Sequence, residues 1–167
     1  MPSSNDARRR RGPTTGTAHR EASGIETEPA LDFMRLMWAV DHELQRVSKR
    51  MIGRLGLTAP QRLALRLIGR QPGLPPGVLA GLLHLHPGTV TGIVRRLEAA
   101  GLISRVRSEG DTRRMHLELT AKGHALNRRR KGTVEAAVVR LLESTSGHEV
   151  TATSRVLKML AEELARE

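Results

Sequence analysis

Six residues between positions 88 and 96 combine small side chains, hydroxyl groups and guanidinium groups, which are the groups that contact DNA bases and phosphates. If residues 87–100 form a helix, these six residues share one face and the apolar residues share the opposite face. Threonine offers a hydroxyl and a methyl group to base edges, arginine pairs with guanine or a phosphate, and glycine lets the backbone approach a groove closely. The polar face consists of Gly88, Thr89, Thr91, Gly92, Arg95 and Arg96, and the apolar face of Val90, Ile93, Val94 and Leu97. A merely solvated helix would more usually carry Glu, Gln and Lys there, and would disfavour glycine.

A second basic group follows within about 20 residues. Arg107, Arg113 and Arg114 flank a short polar loop, SEGDT, that contains Asp111. Arginines at the tip of a hairpin suit a minor groove, where negative potential is concentrated. Asp111 could hold Arg113 through a bidentate pair, or it could only cap the turn, and both roles are compatible.

The elements around these residues predict a winged helix-turn-helix. A short helix is expected from Pro75 through Leu83 and the next from Pro87 to about Ala100, closed by Gly101. Strands are expected at residues 102–107 and 113–119, and the second strand alternates apolar and polar residues.

Two histidines lie in the turn between these helices. His84 lies in the middle of the turn, and His86 is a weak helix cap before Pro87. Because imidazolium could gain phosphate contacts, one hypothesis is tighter DNA binding as the pH falls toward about 6. A plain spacer role is the alternative.

Four further helices are expected on either side. One runs from Leu31 to Gly53 or Gly56, and one begins at Thr58 with Gln61 in capping-box spacing and a buried side of Leu63, Leu67 and Ile68. The others extend from Thr120 to about Glu143 and from Gly147 to Arg166, the last behind Ser146 and Glu149 in capping-box spacing. The predicted fold class is mainly α, a six-helix winged helix-turn-helix with a small two-stranded β wing.

Composition narrows the possible functions. The 167 residues carry 28 Lys and Arg against 17 Asp and Glu, and residues 72–131 alone hold eleven basic against four acidic residues. This balance favours a polyanionic partner. The chain has no cysteine, which excludes thiol chemistry, and no apolar run of about 20 residues, which predicts no membrane span. Neither a catalytic triad pattern nor a phosphate-binding glycine loop is visible, so no enzyme, cofactor or metal is expected and a cytoplasmic protein is the default.

The run TVTGIVRRLEAAGLISR, followed by GDTRRMHLELTAKG, resembles the MarR family of bacterial transcriptional regulators. The most specific part is Asp111-x-Arg113 followed by Leu119-Thr120 and Gly123. The family often has glycine at the turn position that His84 occupies here, so the resemblance implies a left-handed conformation for His84. The resemblance covers about residues 31–165 and implies a homodimer on a pseudo-palindromic double-stranded DNA operator. It further implies a repressor that a small-molecule effector releases, with an effector pocket near Trp38, His42 and Leu63.

The resemblance also implies a domain organisation. Residues 1–29 are expected to be a disordered basic tail, residues 30–165 the MarR-type domain, and residues 58–120 its DNA-binding lobe. Residues 30–53 and 121–165 would supply the dimerisation helices. Two alternatives stay open: a nonspecific architectural DNA-binding protein, and a metal-responsive regulator using histidines such as His42, His116, His124 and His148.

Overall fold

A computed structural model describes residues 28–107 and 115–167. Within these ranges the chain forms seven helices and two strands. The boundary between two compact units falls inside the first helix, between Ala39 and Val40. The helices are α1 (Pro29–Leu55), α2 (Ala59–Arg70), α3 (Pro76–Leu83), α4 (Pro87–Ala99), α5 (Ala121–Arg128), α6 (Val134–Glu143) and α7 (Gly147–Leu164), and the strands are β1 (Ile103–Arg107) and β2 (Met115–Leu119).

The two strands form the predicted antiparallel hairpin. Ile103 pairs with Leu119 and Arg107 pairs with Met115 at the two ends of the ladder. Leu117 is fully buried and Glu118 is exposed, so the predicted alternation is confirmed there, although His116 is half-buried rather than exposed. The loop residues Asp111, Arg113 and Arg114 lie outside the described residues.

One apolar core holds α2, α3, α4 and the hairpin together. Its fully buried members come from these elements and, for Leu74, from the segment between α2 and α3: Leu65, Ile68, Leu74, Leu79, Val90, Val94, Leu97 and Leu117. Burying each such side chain contributes about 1.5–3 kcal/mol. This core fixes the position of α4, the helix with the predicted DNA-reading face.

Local capping signals begin two of the helices as predicted. The Thr58 hydroxyl accepts from the backbone N–H of Gln61, whose side chain accepts from the Thr58 N–H at 2.9 Å. Ser146 and Glu149 form the same reciprocal pair at the start of α7. Each capping box satisfies two of the backbone donors that the first turn leaves unpaired.

The prediction of one long helix from Thr120 to Glu143 is wrong. The chain leaves the helix after Arg128, turns at Gly132 with φ of +75°, and starts again at Val134 behind the N-cap Thr133. We call residues 129–133 the α5–α6 break. The last backbone carbonyls of α5 and that of Arg129 accept from a side chain of α2, as described below, so a non-local contact overrides the local helical pattern.

Of the two expected ends of α1, Gly56 is the correct one: the helix continues through Gly53 to Leu55, and Gly56 has a φ of +71°. The expectation for Leu63 is wrong. Leu63 was expected on the buried side of α2 but is 50% exposed, because it faces the cavity described below rather than the core.

No single helix in the described ranges is both long and apolar enough to cross a membrane. The pair α3 and α4 reaches such a length and composition only when taken together, with a bend of 112° between them.

Candidate nucleic-acid interface and adjoining cavity

The turn between α3 and α4 adopts the predicted left-handed conformation at His84. Its φ and ψ are 51° and 40°, and it is the only described residue other than glycine with positive φ. The N–H groups of His84 and Leu85 donate to Gly81 O and Ala80 O, each at 3.2 Å, and so satisfy the end of α3. A left-handed conformation at a residue with a side chain costs about 1–2 kcal/mol of conformational free energy. In this turn it sets the direction in which α4 begins.

His86 caps α4 through its ring. Nδ1 accepts a hydrogen bond from the backbone N–H of Gly88 at 3.2 Å. A protonated ring would lose this acceptor, because both ring nitrogens would then be donors. Any phosphate contact that imidazolium gains at low pH therefore competes with a lost helix cap, and the pH hypothesis stays a prediction.

The predicted two-faced character of α4 is present in the structure. Val90, Ile93, Val94 and Leu97 are buried, and the six residues of the polar face are all exposed. We call this polar set (Gly88, Thr89, Thr91, Gly92, Arg95 and Arg96) the α4 face. Thr91 donates its hydroxyl proton to Pro87 O at 2.9 Å, which leaves its oxygen as an acceptor.

Both arginines of the α4 face are available for a ligand. Neither Arg95 nor Arg96 has a hydrogen-bond or ion-pair partner among residues 28–107 and 115–167. An added Cβ at Gly92 would meet nothing within 4 Å, so a surface can approach the backbone closely there. The α4 face thus offers small residues near its start and two free guanidinium groups near its end.

The wing is tied to α4 at its base. Arg105 Nε of β1 donates to Glu98 Oε2 of α4 at 3.2 Å. Thr120 donates its hydroxyl to Gly101 O at 2.6 Å, and Lys122 Nζ donates to Ala100 O at 2.8 Å. Arg107 is exposed at the end of β1, where the described part of the wing stops. These contacts set the direction in which the hairpin leaves α4.

A cavity of about 890 Å³ adjoins this lobe, with most of its lining apolar. It is bounded by the second half of α1, the start of α2, the helix-turn-helix turn and the start of α6. The lining residues are Asp41, Leu44, Gln45, Ser48, Thr58, Ala59, Pro60, Arg62, Leu63, Arg66, Leu83, Leu85, Val134, Glu135 and Val138. Leu83 and Leu85 flank His84, so the cavity touches the turn that aims α4.

The three residues expected at an effector pocket lie in different surroundings. Leu63 lines the cavity. His42 is exposed on α1 and is not part of the lining. Trp38 is 64% exposed on the preceding turn of α1, in the other unit. Their role in binding an effector stays a prediction.

Arg62 is a buried charge that joins α2 to the α5–α6 break. Its side chain is 1% exposed and donates from Nη1 to Leu126 O at 2.9 Å, and from Nη2 to Asn127 O at 3.2 Å and Arg129 O at 2.7 Å. Nε donates to Glu135 Oε1 at 2.7 Å. We call this set of contacts the Arg62 clasp. Without the Arg62 guanidinium, these carbonyls at the end of α5 would lose a side-chain hydrogen-bond donor.

Arg66, one turn further along α2, lies at the edge of the same cluster. Nη1 donates to Asn127 O at 3.2 Å and to Asn127 Oδ1 at 3.1 Å, and Nε lies 4.0 Å from Glu135 Oε1. Burial lowers the pKa of Arg66, and the positive charges of Arg130 and Arg62 lower it further. The guanidinium stays charged, but its surroundings hold more positive than negative charge, which favours an added anion.

Glu135 is held ionised by its neighbours. Burial alone would raise the pKa of its carboxyl group, but hydrogen bonds from Arg62, its own backbone N–H and Thr133 outweigh burial and lower the pKa. A carboxyl group whose pKa is lower in the folded state stabilises the fold above its unfolded pKa. That contribution is lost as the pH falls through the folded pKa.

We therefore expect acid to weaken the fold partly through Glu135. The free energy of unfolding of the wild type should fall more steeply than that of Glu135→Gln as the pH drops below about 4.5. Urea unfolding at a series of pH values between about 3 and 6 measures this difference. Parallel pH profiles for the two proteins would contradict the assignment.

Sequence reasoning missed this charged cluster. Arg62 and Arg66 stand four residues apart on α2, next to the apolar residues used to assign a buried side, and Glu135 follows the N-cap Thr133. The i,i+4 spacing of two arginines beside an apolar stripe was the available signal. Their common partners lie more than 60 residues away and could not be read from local pattern.

No group of three or more His, Asp or Glu side chains in the described ranges is arranged to hold a metal ion. The metal-responsive alternative thus gains no support from the part of the chain that the structure describes.

Comparison with known proteins relates this chain to one family of regulators. Residues 57–115 match the model of the MarR family. The HTH-type transcriptional repressor Rv2887 of Mycobacterium tuberculosis is 30% identical over 137 residues, which span 82% of this chain and 97% of that repressor. Its crystal structure with salicylic acid aligns with a TM-score of 0.52 at 30% identity, covering 81% of this chain and 98% of that one.

A DNA complex is also among the similar structures. FabT of Streptococcus pneumoniae, crystallised in complex with DNA, aligns with a TM-score of 0.62 and 26% identity over 82% of this chain and 98% of that one. Three findings agree. They are the winged helix-turn-helix geometry, the family match over residues 57–115, and the 30% identity to Rv2887 over 97% of that repressor. The chain belongs to the MarR family of transcriptional regulators.

Proposed function

We propose that this protein is a dimeric, sequence-specific DNA-binding transcriptional regulator, acting as a repressor that a small-molecule effector releases. The observation that carries the proposal is the α4 face: six exposed residues, two of them arginines without partners in the described ranges, directly opposite a buried apolar side. A FabT structure in complex with DNA supports the same use of the fold. Its site of action would be the bacterial cytoplasm, where the DNA lies.

In this proposal α4 enters a major groove and the wing reaches the flanking minor groove. Thr89 and Thr91 then face base edges, and Arg95 and Arg96 face guanines or phosphates. Arg107, Asp111, Arg113 and Arg114 belong to the wing contact. Two subunits would read half-sites about one helical turn apart on a pseudo-palindrome.

Exposed apolar side chains on the C-terminal helices support a homodimer. Leu141 of α6 and Leu157, Met159 and Leu164 of α7 are all more than half exposed. Exposed apolar side chains that recur along one helix are typical of a surface that another protein chain covers. We assign residues 121–165 to dimerisation, and likewise residues 30–53, where α1 exposes Leu31, Leu36 and Trp38.

The 890 Å³ cavity is the proposed effector site. Its apolar walls suit a small hydrophobic molecule, and the excess positive charge around Arg66 suits an anionic group on it. Because a repressor 30% identical to this chain was crystallised with salicylic acid, an aromatic monocarboxylate is the proposed class. A regulator, rather than an enzyme, is what the names of the similar proteins suggest.

Recovery of bound genomic DNA tests the function. Purified protein is incubated with fragmented host DNA at about 0.15 M salt, and the recovered fragments are sequenced. A few sharp peaks over an inverted repeat would support a specific regulator, whereas uniform enrichment would favour the nonspecific architectural alternative. The ratio of specific to nonspecific affinity then separates the two, because both neutralise phosphates.

Arg95→Ala should relax base preference. If Arg95 reads a guanine, the loss of discrimination between the recovered site and a site with that base changed should be about 1–3 kcal/mol. Fluorescence anisotropy with both duplexes measures it. Arg46→Ala removes an exposed arginine of α1 that is paired with Glu43, and serves as the charge-matched control. If wild type and Arg95→Ala discriminate equally between the two duplexes, Arg95 does not read a base.

A further inference from the structure

The α5–α6 break is held by one side chain from another helix. Three backbone carbonyls at the end of α5 and the carboxylate at the start of α6 all accept from the Arg62 guanidinium. Gly132 supplies the turn, and Thr133 restarts the helix by accepting from the Ala136 N–H. The local pattern of residues 120–143 is nevertheless that of one continuous helix. The Arg62 clasp therefore stabilises the broken arrangement against the continuous helix that the local pattern favours.

The clasp also borders the cavity. Arg62, Arg66 and Glu135 are all among the residues that line it, so a ligand there lies next to the residues that form the clasp. Arg62 has one carboxylate partner, and an anionic ligand offers a second. Because Arg62 is nearly fully buried, exchange of its counter-ion would occur away from water, where charge pairing is strong.

We propose that an anionic effector in the cavity replaces Glu135 as the counter-ion of Arg62, and that opening of the Arg62 clasp is what weakens DNA binding. This inference rests on the proposed function and names its regulation. Arg62 and Glu135 act as positioning residues: they fix α6 against α2, and α2 packs on α4 in the core of the DNA-reading lobe. The effector changes DNA affinity because it binds better to the open clasp than to the closed one.

Glu135→Gln is the informative variant because glutamine can still accept a hydrogen bond but carries no charge. It should weaken the clasp without any ligand. Its DNA affinity should therefore fall by about 5-fold or more, the lower range of typical couplings, to within about threefold of the ligand-saturated wild type. Since no carboxylate competes with the ligand, the same variant should bind salicylate more tightly than the wild type.

The experiment measures two affinities for each full-length protein. Anisotropy on the recovered operator, with and without saturating salicylate, gives DNA affinity, and calorimetry gives salicylate affinity. Glu143→Gln, an exposed acid at the end of the same helix, is the matched control and should behave as the wild type. Far-UV circular dichroism confirms that each protein is folded. Tighter salicylate binding is an effect that general structural damage would not produce.

Three outcomes would overturn the proposal. A folded Glu135→Gln that binds the operator as tightly as wild type would show that the clasp does not control DNA affinity. Unchanged or weaker salicylate binding would show that Glu135 does not compete with the ligand. If salicylate binds neither protein, the proposal of an anionic effector in this cavity is wrong. The proposed function itself fails separately, if wild-type protein shows no preference for any operator.

Discussion

Arg62→Met should lower the free energy of unfolding by about 3–5 kcal/mol, the loss typical of removing one partner of a buried ion pair. Methionine fills much of the space but donates no hydrogen bond. It would leave the Glu135 carboxylate and the carbonyls of Leu126, Asn127 and Arg129 without their common donor. Urea unfolding followed by circular dichroism, at a fixed protein concentration, gives the change in midpoint and slope.

An exposed arginine provides the comparison. Arg46→Met breaks the Arg46–Glu43 pair at 2.8 Å on α1, where both side chains are more than half exposed, and should cost less than about 1 kcal/mol. Equal losses for the two variants would mean that water reaches the α5 carbonyls and replaces Arg62. The double variant Arg62→Met, Glu135→Leu should recover part of the loss, because it removes the stranded carboxylate as well.

The DNA-reading helix was predictable because its signals are local. Four apolar positions at helical spacing define the buried side of α4, and Pro87 and Gly101 mark its ends within the same stretch of sequence. The left-handed conformation of His84 was expected from the family resemblance, because glycine is common at this position of the turn. The capping boxes at Thr58 and Ser146 could be predicted because each lies within four residues of sequence.

The α5–α6 break was not predictable because its cause lies in α2. The strongest helix-opposing residues between Thr120 and Glu143 are Gly123 and Gly132, and each glycine costs only about 1 kcal/mol. The Arg62 guanidinium reverses that preference by satisfying the carbonyls that a broken helix leaves unpaired. The exposure of Leu63 has the same kind of origin, since it follows from a cavity formed by three other elements.

A single methyl group at position 123 should be nearly as damaging as the loss of Arg62. Gly123 is buried in the first turn of α5, and an added Cβ would collide with the backbone carbonyl of Leu102. That carbonyl cannot move freely, because it accepts from the Thr120 N–H at 3.1 Å and precedes the first residue of β1. Gly123→Ala should therefore cost about 3 kcal/mol, the upper range for forcing an atom into a packed site.

A glycine-to-alanine substitution in α3 should instead raise the free energy of unfolding. Gly81 is exposed inside α3 and an added Cβ there meets nothing within 4 Å, so Gly81→Ala should stabilise the fold by up to about 1 kcal/mol. Urea unfolding of both variants measures the difference. Gly123→Ala should also weaken operator binding, because moving α5 breaks the Lys122 and Thr120 contacts that hold the end of α4. If both variants are equally stable, the close approach of α5 to Leu102 does not constrain the lobe.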